Sequence, residues 1–73
     1  MKYSLSTRQV EVMRRLCRGL VAKEMAGEMG LSRRTVEYHL EMAKKRLHAR
    51  TLAHAAAAFI RAKEKSQVVA SSR

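Results

Sequence analysis

The chain has 73 residues, with 16 Lys+Arg against 6 Asp+Glu, a formal net charge of +10 and 47% apolar residues. That length gives one domain, and the apolar fraction argues against wholesale disorder, which combines high charge with low hydrophobicity. A single cysteine makes neither an internal disulfide nor a cysteine zinc site, the longest apolar run, Ala55 to Ile60, is far short of the ~20 residues a transmembrane helix needs, and no glycine-rich phosphate loop occurs.

Met1-Lys2-Tyr3-Ser4 leads directly into a charged segment, with no signal-peptide core, so the expected compartment is the reducing cytoplasm. The first helical segment is expected from about Thr7 to Arg18. Ser6-Thr7-Arg8-Gln9 has the form of a capping box, with Ser6 as N-cap and Gln9 reaching back. Val10, Met13, Cys17 and Leu20 make its apolar stripe, flanked by Leu16, which makes Cys17 a small core residue; Arg14, Arg15 and Arg18 lie off the stripe. Gly19 suits the C-cap.

A second segment is expected from Ala22 to Met29, where Ala22, Met25, Ala26 and Met29 repeat at helical spacing, and Gly30 ends it with a positive φ. The third follows Ser32 as N-cap and buries Val36, Leu40, Ala43 and Leu47, turning Arg33, Arg34, Glu37, Tyr38, Glu41, Lys44 and Lys45 elsewhere. The fourth starts after Thr51 and reaches about Lys65. Leu52, Ala55 and Phe59 can close the core, while Ala53, Ala56, Ala57 and Ile60 form another stripe of mostly small side chains, fit either for subunit pairing or simply for a surface helix of high intrinsic propensity. Residues 66–73 lack a stripe and caps and read as a flexible tail to a domain of residues 1–65. Apolar residues do not alternate, so the fold class is all-α.

The Gly30-Leu31-Ser32 link is short enough to hold two helices at a steep angle, as in a helix-turn-helix. Ala26 supplies the small residue at the close approach, Gly30 the turn, Val36 the β-branched residue on the inner face of the second helix, and Leu31 the plug of the corner. The positive charge calls for a polyanion: DNA, RNA or an anionic membrane surface.

At these positions the sequence resembles the LuxR-type (GerE-like) helix-turn-helix family. The resemblance rests on Leu5-Ser6-Thr7-Arg8-Gln9-Val10-Glu11-Val12-Met13, then Gly19-Leu20, Lys23-Glu24-Met25-Ala26, and Leu31-Ser32-Arg33-Arg34-Thr35-Val36-Glu37-Tyr38-His39-Leu40, with Lys45-Arg46-Leu47 and His54-Ala55 beyond. It implies a four-helix DNA-binding domain of bacterial transcription regulators, standing alone or excised from a longer chain, whose third helix enters the major groove and whose fourth often pairs subunits. The sequence departs from the family pattern at Val21, where Ser or Thr usually caps the second helix; at Gln9, for glutamate; and at His48, for glycine. It departs also at the groove-facing Glu37, Tyr38 and Glu41, where many relatives carry Lys or Arg.

A helix in the major groove meets a distinct donor and acceptor pattern at each base pair. Glu37 or Glu41 can accept from cytosine N4, and Tyr38 can touch a thymine methyl or a phosphate; the plain alternative is that all three are solvated near the phosphates. Arg33 and Arg34 suit bidentate contact with guanine or phosphate, and Thr35 either donates to a phosphate or serves the local cap. Lys23, Lys44 and Lys45 suit phosphates. Arg8 is expected to pair with Glu24, and His39 to be half-buried with a hydrogen bond. No second ligand stands four residues beyond His39, and no nucleophile–base set is evident, so neither metal, cofactor nor catalysis is expected.

The expected function is therefore a sequence-specific, DNA-binding transcription regulator of the cytoplasm and nucleoid. It would act as a homodimer paired through Ala53, Ala56, Ala57 and Ile60, with RNA polymerase or a full-length LuxR-type regulator as further partners and no membrane. The rival, favoured by Glu37 and Glu41, is an antiactivator that heterodimerises with such a regulator without binding DNA. An RNA-binding or membrane-surface protein is disfavoured by the scarcity of stacking aromatics and the lack of a continuous basic amphipathic helix.

Overall fold

The computed structural model describes the backbone of residues 5–71 and the side chains of residues 5–62. Four helices follow one another: α1 Thr7–Cys17, α2 Ala22–Met29, α3 Arg33–Arg46 and α4 Leu52–Ser71. Among the described residues there is no strand, so the fold is the all-α arrangement expected from the periodicity.

Local chemistry sets the helix ends. At α1 the capping box is complete: Gln9 N donates to Ser6 Oγ at 3.2 Å, and Ser6 N donates to Gln9 Oε1 at 2.9 Å. The helix closes through Gly19, at φ 91°, with Gly19 N on the Leu16 carbonyl and Leu20 N on that of Arg15. α2 starts with half a capping box, because the Val21 side chain has no acceptor; only Glu24 Oε1 takes part, accepting from Val21 N at 2.9 Å. α3 ends on the same double bond pattern as α1, His48 N to Lys45 O and Ala49 N to Lys44 O, but with His48 in the left-handed conformation at φ 56°. That is the position where the family pattern has glycine, and a side chain there costs about 1–2 kcal/mol.

α3 lies across α1 and α2, and α4 closes against α1 and α3. Their shared core is Val12, Met13, Met25, Val36, Leu40, Ala43, Leu47, Ala55, Ala58 and Phe59. Met13, Met25, Val12 and Val36 are fully buried, each stabilising the fold by about 1.5–3 kcal/mol relative to exposure. The α3 stripe is buried as expected from the sequence.

Four sequence expectations are corrected. In the α1 stripe Met13 is buried and Val10, Leu16 and Leu20 pack against the core as expected, but Cys17 is exposed, and Gln9 and Val12 are buried in addition. Polar Gln9 is buried where it completes the capping box with Ser6. Leu52 lies at the first position of α4 and stays 37% exposed, while Ala58 takes its place in the core. Arg8 pairs with Glu11, one turn along its own helix, at 3.1 Å, and Glu24 Oε1 accepts from Val21 N at the start of α2. Finally, α4 extends to Ser71 and not to about Lys65. Ser66-Gln67-Val68-Val69-Ala70 contains no glycine or proline to stop a helix, and the loss of an apolar stripe speaks to packing, not to backbone conformation. The side chains of residues 63–71, and all of residues 72 and 73 at the end of the expected tail, lie outside the described residues.

Candidate nucleic-acid interface

The corner between α2 and α3 decides where the α3 side chains point. Gly30 stands at φ 66°, ψ 32°, and Leu31 N donates back to the Ala26 carbonyl at 3.1 Å. A Cβ on Gly30 would meet nothing within 4 Å, so glycine is required there for its backbone freedom and not for space. Leu31 and Ala26 rest against the core from the corner. Ser32 then caps α3: Thr35 N donates to its Oγ at 3.1 Å, and that hydroxyl donates to Thr35 Oγ1 at 2.9 Å.

With Val36, Leu40 and Ala43 facing inward, the helical period brings Arg34, Tyr38, Glu41 and Lys45 to the opposite side, with Arg33 and Glu37 beside them, all exposed. This surface is partly neutralised from within. Arg33 Nε donates to Glu37 Oε2 at 3.0 Å, and Lys44 Nζ reaches Glu41 Oε2 at 3.0 Å. Both are surface pairs worth at most ~1 kcal/mol, so either partner exchanges readily for a stronger ligand. Tyr38 is 60% exposed and its ring stands edge-on to that of half-buried His39, centroids 5.7 Å apart.

The candidates from the sequence thus separate by place. Arg33, Arg34, Glu37, Tyr38, Glu41 and Lys45 share the outward face of α3. Thr35 is half-buried beside Ser32, and Lys44 lies lower on the flank with its side chain 22% exposed. Lys23 is exposed on α2, a different helix. Among the described residues no carboxylate lies within 4.0 Å of Lys23, Arg34 or Lys45. On α4, Ala53, Ala57 and Ile60 are exposed opposite the core and Ala56 is half-buried. Arg15 was not legible as a structural residue: its Nε reaches Glu28 at 2.9 Å, strapping α1 to α2, and a partner thirteen residues away carries no local sequence signal. Among the described residues, no three His, Cys, Asp or Glu side chains gather to hold a metal ion, and no helix is long and apolar enough to cross a membrane.

This four-helix order, with its glycine corner and outward basic end, agrees with the match of residues 3–59 to the family of bacterial regulatory proteins described as luxR family. The chain belongs to the luxR family. Membership points to a DNA-binding helix-turn-helix domain with a regulatory and not an enzymatic role. No curated protein sequence matches the chain. In this chain the corner is formed by Ala26, Gly30 and Val36, α2 begins without a side-chain cap bond from Val21, and His48 takes the left-handed conformation after α3.

Proposed function

We propose that the protein is a sequence-specific regulator of transcription that seats α3 in the major groove of duplex DNA as a symmetric dimer. One observation carries the reading: α3 begins with Arg33 and Arg34, with no acidic residue in its first turn. The start of a helix carries the positive end of its dipole, so cations there oppose stability by about 0.3–1 kcal/mol each. Arginines held against that cost, on the exposed end of a helix that projects from a rigid corner, form an anion-attracting tip suited to phosphates and to guanine O6 and N7.

In this reading Arg33, Arg34, Glu37, Tyr38 and Glu41 approach base edges. Thr35, Lys23, Lys44 and Lys45 approach the phosphate rails. Ala53, Ala56, Ala57 and Ile60 pair two copies through α4, their small side chains permitting close approach of the helices. A twofold arrangement would place the recognition helices ~34–36 Å apart, one helical turn of DNA. The site of action would be the cytoplasm and nucleoid.

The deciding experiment is selection of bound duplexes from a random pool. Enrichment of an inverted repeat with half-sites one turn apart is expected. The carboxylates Glu37 and Glu41 favour one other reading, an antiactivator that pairs with a full-length luxR-family regulator through α4. Recovery of no sequence above background, together with heterodimer formation, would decide for it.

A further inference from the structure

α2 is held in place by few local forces. Its eight residues start without a side-chain cap at Val21, include a glycine at Gly27 and fully bury one side chain, Met25. The helix meets the rest of the fold mainly along α3. From its last turn Glu28 reaches back to α1: Oε1 accepts from Arg15 Nε at 2.9 Å, and Oε2 lies 3.8 Å from Arg18 Nη2. Arg15 is also fastened to its own helix, since Nη1 donates to the Glu11 carbonyl at 3.2 Å, and its side chain is only 24% exposed. A guanidinium held at two points and partly shielded from water differs from a lone surface pair. Gly30, the left-handed residue of the corner, follows two residues after Glu28.

We infer that Glu28 is a positioning residue for duplex binding: its strap to Arg15 and Arg18 sets α2 against α1, and so fixes where Lys23 stands relative to the outward face of α3. The inference rests on the proposed DNA-binding role, in which Lys23 meets a phosphate. Lys23 is exposed, and among the described residues it lies within 4.0 Å of no carboxylate, so Glu28 acts on it through the helix they share. α3 packs against α1 and α4 as well as α2, so it keeps its place when the strap is lost, and α2 is the element free to shift. Charge alone predicts the opposite sign. Neutralising a carboxylate on a chain of net charge +10 strengthens its attraction for phosphates, so an affinity that falls when Glu28 is neutralised reports position and not charge.

The full chain and its variants are titrated by anisotropy with a duplex selected by the unaltered chain, at about 0.1 M salt and well below the melting temperature, where one phosphate contact is worth at most about tenfold in affinity. Glu28→Gln is expected to lower affinity by about three- to tenfold, within that limit. Arg15→Lys keeps every charge but loses the two-point hold, and the same loss is expected. In a Lys23→Ala background neither substitution is expected to cost anything further, whereas partial unfolding would lower affinity in both backgrounds. Hydrogen exchange at the amides of α2 is expected to quicken in both variants while that of α3 is unchanged. Affinity that rises or stays level in either variant, a loss that persists without Lys23, a Lys23→Ala change with no effect of its own, or unchanged exchange in α2 overturns the inference and leaves the DNA-binding role standing. An unaltered chain that selects no duplex overturns that role, and this inference with it.

Discussion

His48 and Gly30 occupy the same left-handed region of backbone space, at φ 56° and 66°, and only one of them is glycine. The pair makes a matched test of the turns. Gly30→Ala adds a Cβ with open space around it, so its cost is conformational and is expected to be about 1 kcal/mol after the smaller entropy of the unfolded alanine chain is counted. His48→Gly removes the same strain and is expected to stabilise by up to about 1 kcal/mol. In a domain of this size each corresponds to roughly 4–8 °C per kcal/mol in a thermal melt, with opposite signs. Arg34→Ala separates binding from folding: specific duplex affinity is expected to fall by about 1–3 kcal/mol at fixed salt while the melting temperature does not fall, because a cation leaves the positive end of α3. Unchanged affinity would remove Arg34 from the interface.

The elements were legible in the sequence where turn chemistry and apolar spacing agreed. Ser6, Ser32, Gly19 and Gly30 each mark a boundary that the structure keeps, and the stripe of α3 is buried as its spacing demands. The face of α1 was legible only in part: Val10, Met13, Leu16 and Leu20 reach the core, but a buried glutamine in a capping box counts as polar in any periodicity argument, and Cys17, expected inside, is exposed. The end of α4 was missed for the opposite reason: its last residues form a helix without an apolar face to announce it. For the candidate interface, spacing sorted α3 residues into inward and outward sets, but the partners of the charges lay beyond it, as with Arg8 choosing Glu11 over Glu24. The α4 stripe carries its own test. On the proposed dimeric reading, Ile60→Glu puts a charge on the outward stripe of α4, so the expected result is a monomer by sedimentation at concentrations where pairing through α4 would make the unaltered chain dimeric, with the helical signal retained. A dimer that persists would place subunit pairing elsewhere.

The whole molecule carries far more positive than negative charge. On the proposed reading, neutralising roughly 6–10 phosphates would lower duplex affinity about 10³–10⁵-fold between 50 and 200 mM salt. A shallow dependence would mean that the charge serves some partner other than DNA. Stability is expected to respond in the other direction: added salt relieves repulsion among like charges in a compact chain, so a melt in the same salt series should rise as duplex affinity falls.

The clasp between Arg33 and Glu37 has a geometric consequence for discrimination. Glu37 accepts from the guanidinium's Nε, so this bond leaves the two terminal nitrogens with donors for another ligand. A guanidinium biased in this way keeps donors for a purine, and its orientation depends on a neighbour one helical turn along. Exchange of Glu37 for glutamine would keep the shape and weaken the grip, so the blurring of one base preference, with little change in overall hold on the duplex, is the signature to seek.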